Sequence, residues 1–129
     1  MHTKKEILLV DNDDAMRVAL AEELKRLGHA PIATWSGIDA LSLLVSRSFD
    51  VLLVDVYLPD MYIGDFLKSV SELSVRPKIW VMQAKPAQDT RVYGSRYYSV
   101  VEKSQATQVL HRLDAGMNGD VAGSSGWTH

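Results

Sequence analysis

Three unbroken apolar runs punctuate the chain, and each ends on a polar residue. Ile7-Leu8-Leu9-Val10 stops at Asp11, Val51-Leu52-Leu53-Val54 at Asp55, and Ile79-Trp80-Val81-Met82 at Gln83. Runs without alternation suit strands covered on both faces, as in a parallel sheet. A weaker run, Ser99-Val100-Val101, closes near Glu102 and Lys103. Residues 30–35 (APIATW) predict a further strand, with Pro31 at its start or edge. Helical spacing fills the intervals. Met16, Leu20, Leu24 and Leu27 mark a first helix, with Asn12 or Asp13 to cap it and Gly28 to stop it. Ile38, Leu41, Leu44 and Val45 mark a second, with Ser36 or Gly37 near its cap, and Phe66, Leu67, Val70 and Leu73 a third. Residues 87–93 have room only for a short fourth helix, and residues 105–113 predict a last one with Val109, Leu110 and Leu113 inward.

Strands alternating with helices in a (βα)5 order imply a parallel five-stranded sheet with helices on both faces. Right-handed crossovers make this a doubly wound, three-layer α/β sandwich. At 129 residues the chain fits one domain. That domain is expected over residues 1–115, because from Ala115 onward the Gly- and Ser-rich sequence loses its apolar periodicity. Residues 116–129 read as a flexible tail or the start of a linker.

Charge and composition narrow the partners. A formal net charge of −2 leaves no broad basic field for direct nucleic-acid binding or for an acidic membrane. The absence of cysteine excludes disulfides, zinc thiolate sites and thiol nucleophiles. The first apolar run is too short for a signal-peptide core or a membrane span, so a cytoplasmic protein is expected. His2, His29, His111 and His129 are scattered, which argues against a histidine metal site. Trp35, Trp80 and the tyrosines are expected as packing residues, Met16, Met61 and Met82 as core or loop filler.

The chemistry is expected at the strand ends, because open α/β sheets bind ligands beyond the carboxyl ends of their strands. Asp11, Asp55, Gln83 and Lys103 close the runs there. Two carboxylates from neighbouring strands with a lysine from a third suit a divalent cation and a phosphoryl group. Magnesium takes few protein oxygens and keeps several waters, and a lysine offers a point charge to phosphate.

At these residues the chain resembles a known family. ILLVDND is similar to the receiver motif of two-component response regulators, a hydrophobic strand followed by an acidic pair. DVLLVDVYLPDM resembles their acceptor-aspartate strand and following loop, and VVEK their lysine strand. The resemblance covers residues 5 to about 115 and implies a CheY-like, flavodoxin-like fold. It implies that Asp55 accepts a phosphoryl group from a sensor histidine kinase or a phosphotransfer protein. It implies that Asp11, Asn12, Asp55 and the backbone carbonyl of Tyr57 hold Mg2+, and that Lys103 and Gln83 contact the phosphoryl group. Val100 and Tyr98 would belong to the switch and docking face. Output would run through a downstream protein or an effector domain outside this chain, with a homodimer as an option, and the domain itself would not be an enzyme.

Four departures from the family pattern stand out. Asn12 stands where a second acid usually supplies a ligand, so weaker magnesium binding is expected. Gln83 replaces the usual Thr or Ser hydroxyl. Ser104 follows Lys103 where proline is usual, which argues against a cis bond. The fourth-helix region is short and holds Pro86, and Gly64 arrives about one residue late after Asp55. These departures keep a pseudo-receiver in view, the same fold serving as a protein-docking module with little or no phosphorylation. LLVDNDDA also resembles the strand end of haloacid-dehalogenase-type phosphatases, with Asp11 as nucleophile and Asp13 as acid–base partner. That reading requires a later acidic pair and more chain. A flavodoxin-like FMN carrier shares the topology, but acids rather than a hydroxyl- and glycine-rich loop follow the first strand.

Overall fold

The structure, a computed structural model, describes residues 3–84, 98–106 and 108. Strands β1 (Glu6–Val10), β2 (Ala30–Thr34), β3 (Val51–Asp55), β4 (Lys78–Gln83) and β5 (Ser99–Glu102) form one sheet in the order β2-β1-β3-β4-β5. Every pairing is parallel. Helices α1 (Asp14–Arg26), α2 (Gly37–Ser46) and α3 (Ile63–Ser71) follow the first three strands, and a 3-10 turn (Lys103–Gln105) follows the last. The doubly wound α/β reading of the sequence is the observed fold. The expected fourth helix at 87–93 lies outside the described residues, as does the tail. Of the expected last helix, Gln105 ends the 3-10 turn, Ala106 and Gln108 are helical, and residues 107 and 109–113 fall outside the described residues.

The two-residue period of the strands sorts their side chains into two cores. Ile7, Leu9, Val51, Leu53, Trp80, Met82 and Val101 pack with Leu20 and Leu24 of α1 and with Ala106. Leu8, Val10, Leu52, Val54, Ile79 and Val81 face Ala40 and Leu44 of α2 and Phe66 and Val70 of α3. The unbroken apolar runs therefore follow from helices covering both faces. Phe66, Leu24 and Ile7–Val10 of β1 are fully buried, and each such side chain stabilises the fold by about 1.5–3 kcal/mol.

Caps hold the helices where the sequence suggested. The Met16 N–H donates to Asp13 Oδ1 at 3.1 Å and the Asp39 N–H to Ser36 Oγ at 3.1 Å. Gly28 ends α1 with a φ of 89°, which favours glycine. The inward face of α2 differs from expectation. Gly37, Ala40 and Leu44 point inward, while Ile38 and Val45 are 61% and 76% exposed. The apolar residues of α2 do not all share one face: Ala40 and Leu44 pack in the core, and Gly37 lies against Leu58 and Met61 of the β3–α3 loop. Leu73 is half-buried beyond the end of α3, and Trp35 lies past β2. Trp80 packs as expected, but Trp35, Tyr57 and Tyr62 are largely exposed. Met82 is buried, and Met16 and Met61 are half-buried.

Candidate functional site

Strand register builds the site. Val10 pairs with Val54, so Asp11 and Asp55, one residue further on, leave adjacent strands side by side. Asp55 pairs with Met82, and Gln83 with Glu102, which brings the start of the turn at Lys103 to the same edge. The Lys103 ammonium bridges the two carboxylates, donating to Asp11 Oδ1 at 3.1 Å and to Asp55 Oδ2 at 3.2 Å. Asp11 is wholly buried, and the side chains of Asp55 and Lys103 are 9% and 14% exposed. No cis peptide occurs among the described residues, so Lys103–Ser104 is trans.

The remaining lone pairs are unevenly satisfied. Asp11 Oδ1 also accepts the Asp13 N–H at 2.9 Å, and Asp55 Oδ1 accepts the Tyr57 N–H at 3.3 Å. Asp11 Oδ2 is buried without a hydrogen-bond partner among the described residues. Burial pushes the Asp11 carboxyl above its ordinary value, the Asp13 N–H and Lys103 oppose this, and the Asp55 charge adds to it. Burial works against the Lys103 charge, but the hydrogen bond to Asp11 and the fields of both carboxylates hold its pKa above the usual lysine value. An orphaned, buried carboxylate oxygen beside a second carboxylate fits the donor set of a hard divalent cation. The set is small. Among the described residues no group of three or more His, Cys, Asp or Glu side chains comes together.

Other expected residues lie around this centre. Asn12 is exposed at the start of the β1–α1 turn, and Asp13 is exposed with its carboxylate engaged in capping α1. Gln83 is buried at the end of β4. The Tyr57 side chain is exposed, two residues past Asp55. Val100 and Tyr98 are half-buried and pack against the core on the α2–α3 side. Two participants had no clear sequence signal. Arg17 donates from Nη1 to the Asp11 carbonyl at 2.9 Å and from Nη2 to Asp14 at 2.6 Å, steadying the turn after β1. Asp60 reaches from the β3–α3 loop to the first N–H groups of α2 at 2.9 Å. Its hydrogen bonds hold its carboxyl below the ordinary range against the opposing effect of desolvation. An Arg one turn into an acid-rich helix start hints at the first contact. Nothing local distinguishes Asp60 from any loop acid.

The parallel sheet thus gathers an acid pair and a lysine at its carboxyl edge, in a doubly wound α/β fold. The chain belongs to the response regulator receiver domain family, whose model matches residues 7–115. It is 43% identical over 53 residues to the transcriptional regulatory protein AfsQ1 of Streptomyces coelicolor, and 27% identical over 95 residues to the probable histidine kinase 1 of Oryza sativa subsp. indica. Those matches cover 41% and 71% of this chain but only 24% and 9% of the relatives' own lengths. Among solved structures, the chemotaxis response regulator CheY4 of Vibrio cholerae superposes with a TM-score of 0.72 at 23% identity, covering 86% of this chain and 99% of that one. The receiver domain of the sensor histidine kinase PA1611 of Pseudomonas aeruginosa, which has a magnesium ion in its active-site cleft, gives 0.70 at 21% identity, covering 85% and 97%. Both likenesses show the fold. No helix among the described residues is long and apolar enough to cross a membrane.

Proposed function

We propose that this receiver domain is a phosphorylation switch with Asp55 as its acceptor. The carrying observation is the Lys103 bridge, which joins Asp55 and the buried Asp11 in one pocket. The donor is a phosphohistidine on a sensor histidine kinase or a phosphotransfer protein. One Asp55 carboxylate oxygen bonds to phosphorus as the P–N bond breaks, and the imidazole leaves and takes a proton from solvent. Lys103 exchanges its hydrogen bond to Asp55 for one to a phosphoryl oxygen, while its contact to Asp11 keeps it in place. Asp11, Asp55, the Asn12 side-chain carbonyl and the Tyr57 main-chain carbonyl would hold Mg2+. When bound, that ion supplies positive charge against the phosphoryl oxygens. With one carboxylate fewer than usual, its affinity is lower than the family's norm. Gln83 offers an amide donor to the phosphoryl group. Val100 and Tyr98 lie on the face offered to a downstream protein or effector domain, and the setting is the cytoplasm.

Intact mass after incubation with Mg2+ and acetyl phosphate tests the reading. A gain of one phosphoryl group, lost in Asp55→Ala, supports it. Buried Gln83 and exposed Asn12 favour the pseudo-receiver as the second reading. No adduct together with no Mg2+ binding would establish that one instead. The phosphatase reading is less favoured, because Oδ1 of its acid–base candidate Asp13 is engaged in capping α1. Phosphomonoester turnover lost in Asp11→Ala would be needed to revive it.

A further inference from the structure

We infer that Asp60 is a positioning residue that fixes the loop after Asp55 by fastening it to the N-terminus of α2. The inference rests on the receiver reading for its functional consequence, and on geometry for the fastening itself. The first N–H groups of a helix have no partner within it and seek one outside. The two oxygens of Asp60 take two of them, Oδ1 from Gly37 and Oδ2 from Ile38, both at 2.9 Å, across 23 and 22 residues of sequence. Ser36 satisfies a third N–H, that of Asp39. An acid just before a helix ordinarily caps that helix. Here α3 begins after Tyr62 with no side-chain cap bond, and the acid serves α2 instead.

Packing strengthens the joint. A Cβ at Gly37 would lie 2.6 Å from Met61 Sδ and 3.2 Å from Leu58 Cδ1, so the Met61 and Leu58 side chains of this loop pack closely against the start of α2. Residues 58–61 are thereby held at several points on α2. Tyr57, whose main-chain carbonyl belongs to the proposed cation set, sits between this anchor and Asp55. Its own tie to Asp55 is a single N–H contact at 3.3 Å. That contact is long for an N–H···O bond. On the Asp55 side the chain is tied to β4 by the Val56 N–H, which donates to the Met82 carbonyl at 2.8 Å; beyond Tyr57 the loop's position is set from α2.

Three variants test this, with Ser36→Ala as the control that weakens the α2 cap without touching the loop. Amide hydrogen exchange at Tyr57 reads loop order, and the buried amides of Leu9 and Leu53 read global opening. Asp60→Ala is expected to speed Tyr57 exchange about tenfold beyond any global change, the scale of a lost cap. Asp60→Asn, which keeps one acceptor oxygen, should fall between it and the wild type. Ser36→Ala should leave Tyr57 exchange unchanged. In acetyl phosphate labelling, Asp60→Ala should raise the Mg2+ concentration for half-maximal adduct several-fold. Equal acceleration in Asp60→Ala and Ser36→Ala, or none in Asp60→Ala, overturns the fastening. Accelerated exchange with an unmoved Mg2+ midpoint overturns the positioning role. If the wild type takes no label, the receiver reading fails, and exchange alone still decides the fastening.

Discussion

Replacing Lys103 with methionine removes the one cation that touches both Asp11 and Asp55 among the described residues. At contacts of 3.1 and 3.2 Å and an effective dielectric of about 20, each attraction amounts to about 5 kcal/mol before desolvation is counted. Methionine recovers the desolvation cost of the ammonium and fills similar space, so the net loss is smaller. Truncating one partner of a buried pair typically costs about 3–5 kcal/mol. Lys103 keeps some solvent contact, which places the expected loss near the lower end, about 3 kcal/mol at pH 7. Urea unfolding followed by circular dichroism reads it as a midpoint lower by roughly 1–2 M. Asp11 already has a raised pKa from burial. A carboxyl raised in the folded state favours folding fully below its unfolded value, and that contribution is lost as pH rises through the folded value. Without Lys103 the Asp11 pKa rises further, so the variant should suffer less at pH 5 than at pH 8, and adding Asp55→Asn should restore part of the stability. A loss under about 1 kcal/mol, or one larger at pH 5, would refute the claim that Lys103 compensates two buried charges.

The other predictions touch the loop and the cation set. Gly37→Ala should displace the Met61 side chain, whose Sδ would lie 2.6 Å from the new methyl, at a cost in urea unfolding of no more than about 1 kcal/mol, and Met61→Ala in the same chain should remove that cost. Asn12→Asp, adding one carboxylate to the site, should tighten Mg2+ roughly tenfold by titration calorimetry; an unchanged affinity would separate residue 12 from the cation. The Asp60 carboxyl is lowered from 3.8, so its contribution is present above that pH and lost as pH falls through its lower folded value. Wild-type stability should accordingly fall more steeply than that of Asp60→Asn in acid unfolding below pH 3.8. Lys103 is raised from 10.5, so its contribution is full below that pH and is lost as pH rises through the folded value, which alkaline unfolding of wild type against Lys103→Met would reveal.

Much of this molecule is written locally. The short apolar runs ending at Asp11, Asp55 and Gln83, set between helical patterns, predict buried parallel strands, because a sheet covered on both faces buries successive residues alternately against its two helix layers. The caps at Asp13 and Ser36 and the stop at Gly28 are legible for the same reason, since each depends on a few neighbouring backbone groups. The acid–acid–lysine set is legible because each member closes a strand. What the sequence could not decide depends on contacts between distant segments. Strand order puts β3 beside β1, and only that adjacency lets Lys103 reach Asp11 and Asp55 together across 92 and 48 residues. The inward face of α2 depends on how it packs on the sheet through Ala40 and Leu44 and against the loop at Gly37, which leaves Ile38 and Val45 in solvent despite their hydrophobicity. Asp60 reads as an ordinary loop acid until the fold brings the free N–H groups of α2 to it. Local hydrogen bonding and side-chain periodicity are properties of a stretch of chain, whereas proximity between stretches exists only once the sheet has assembled.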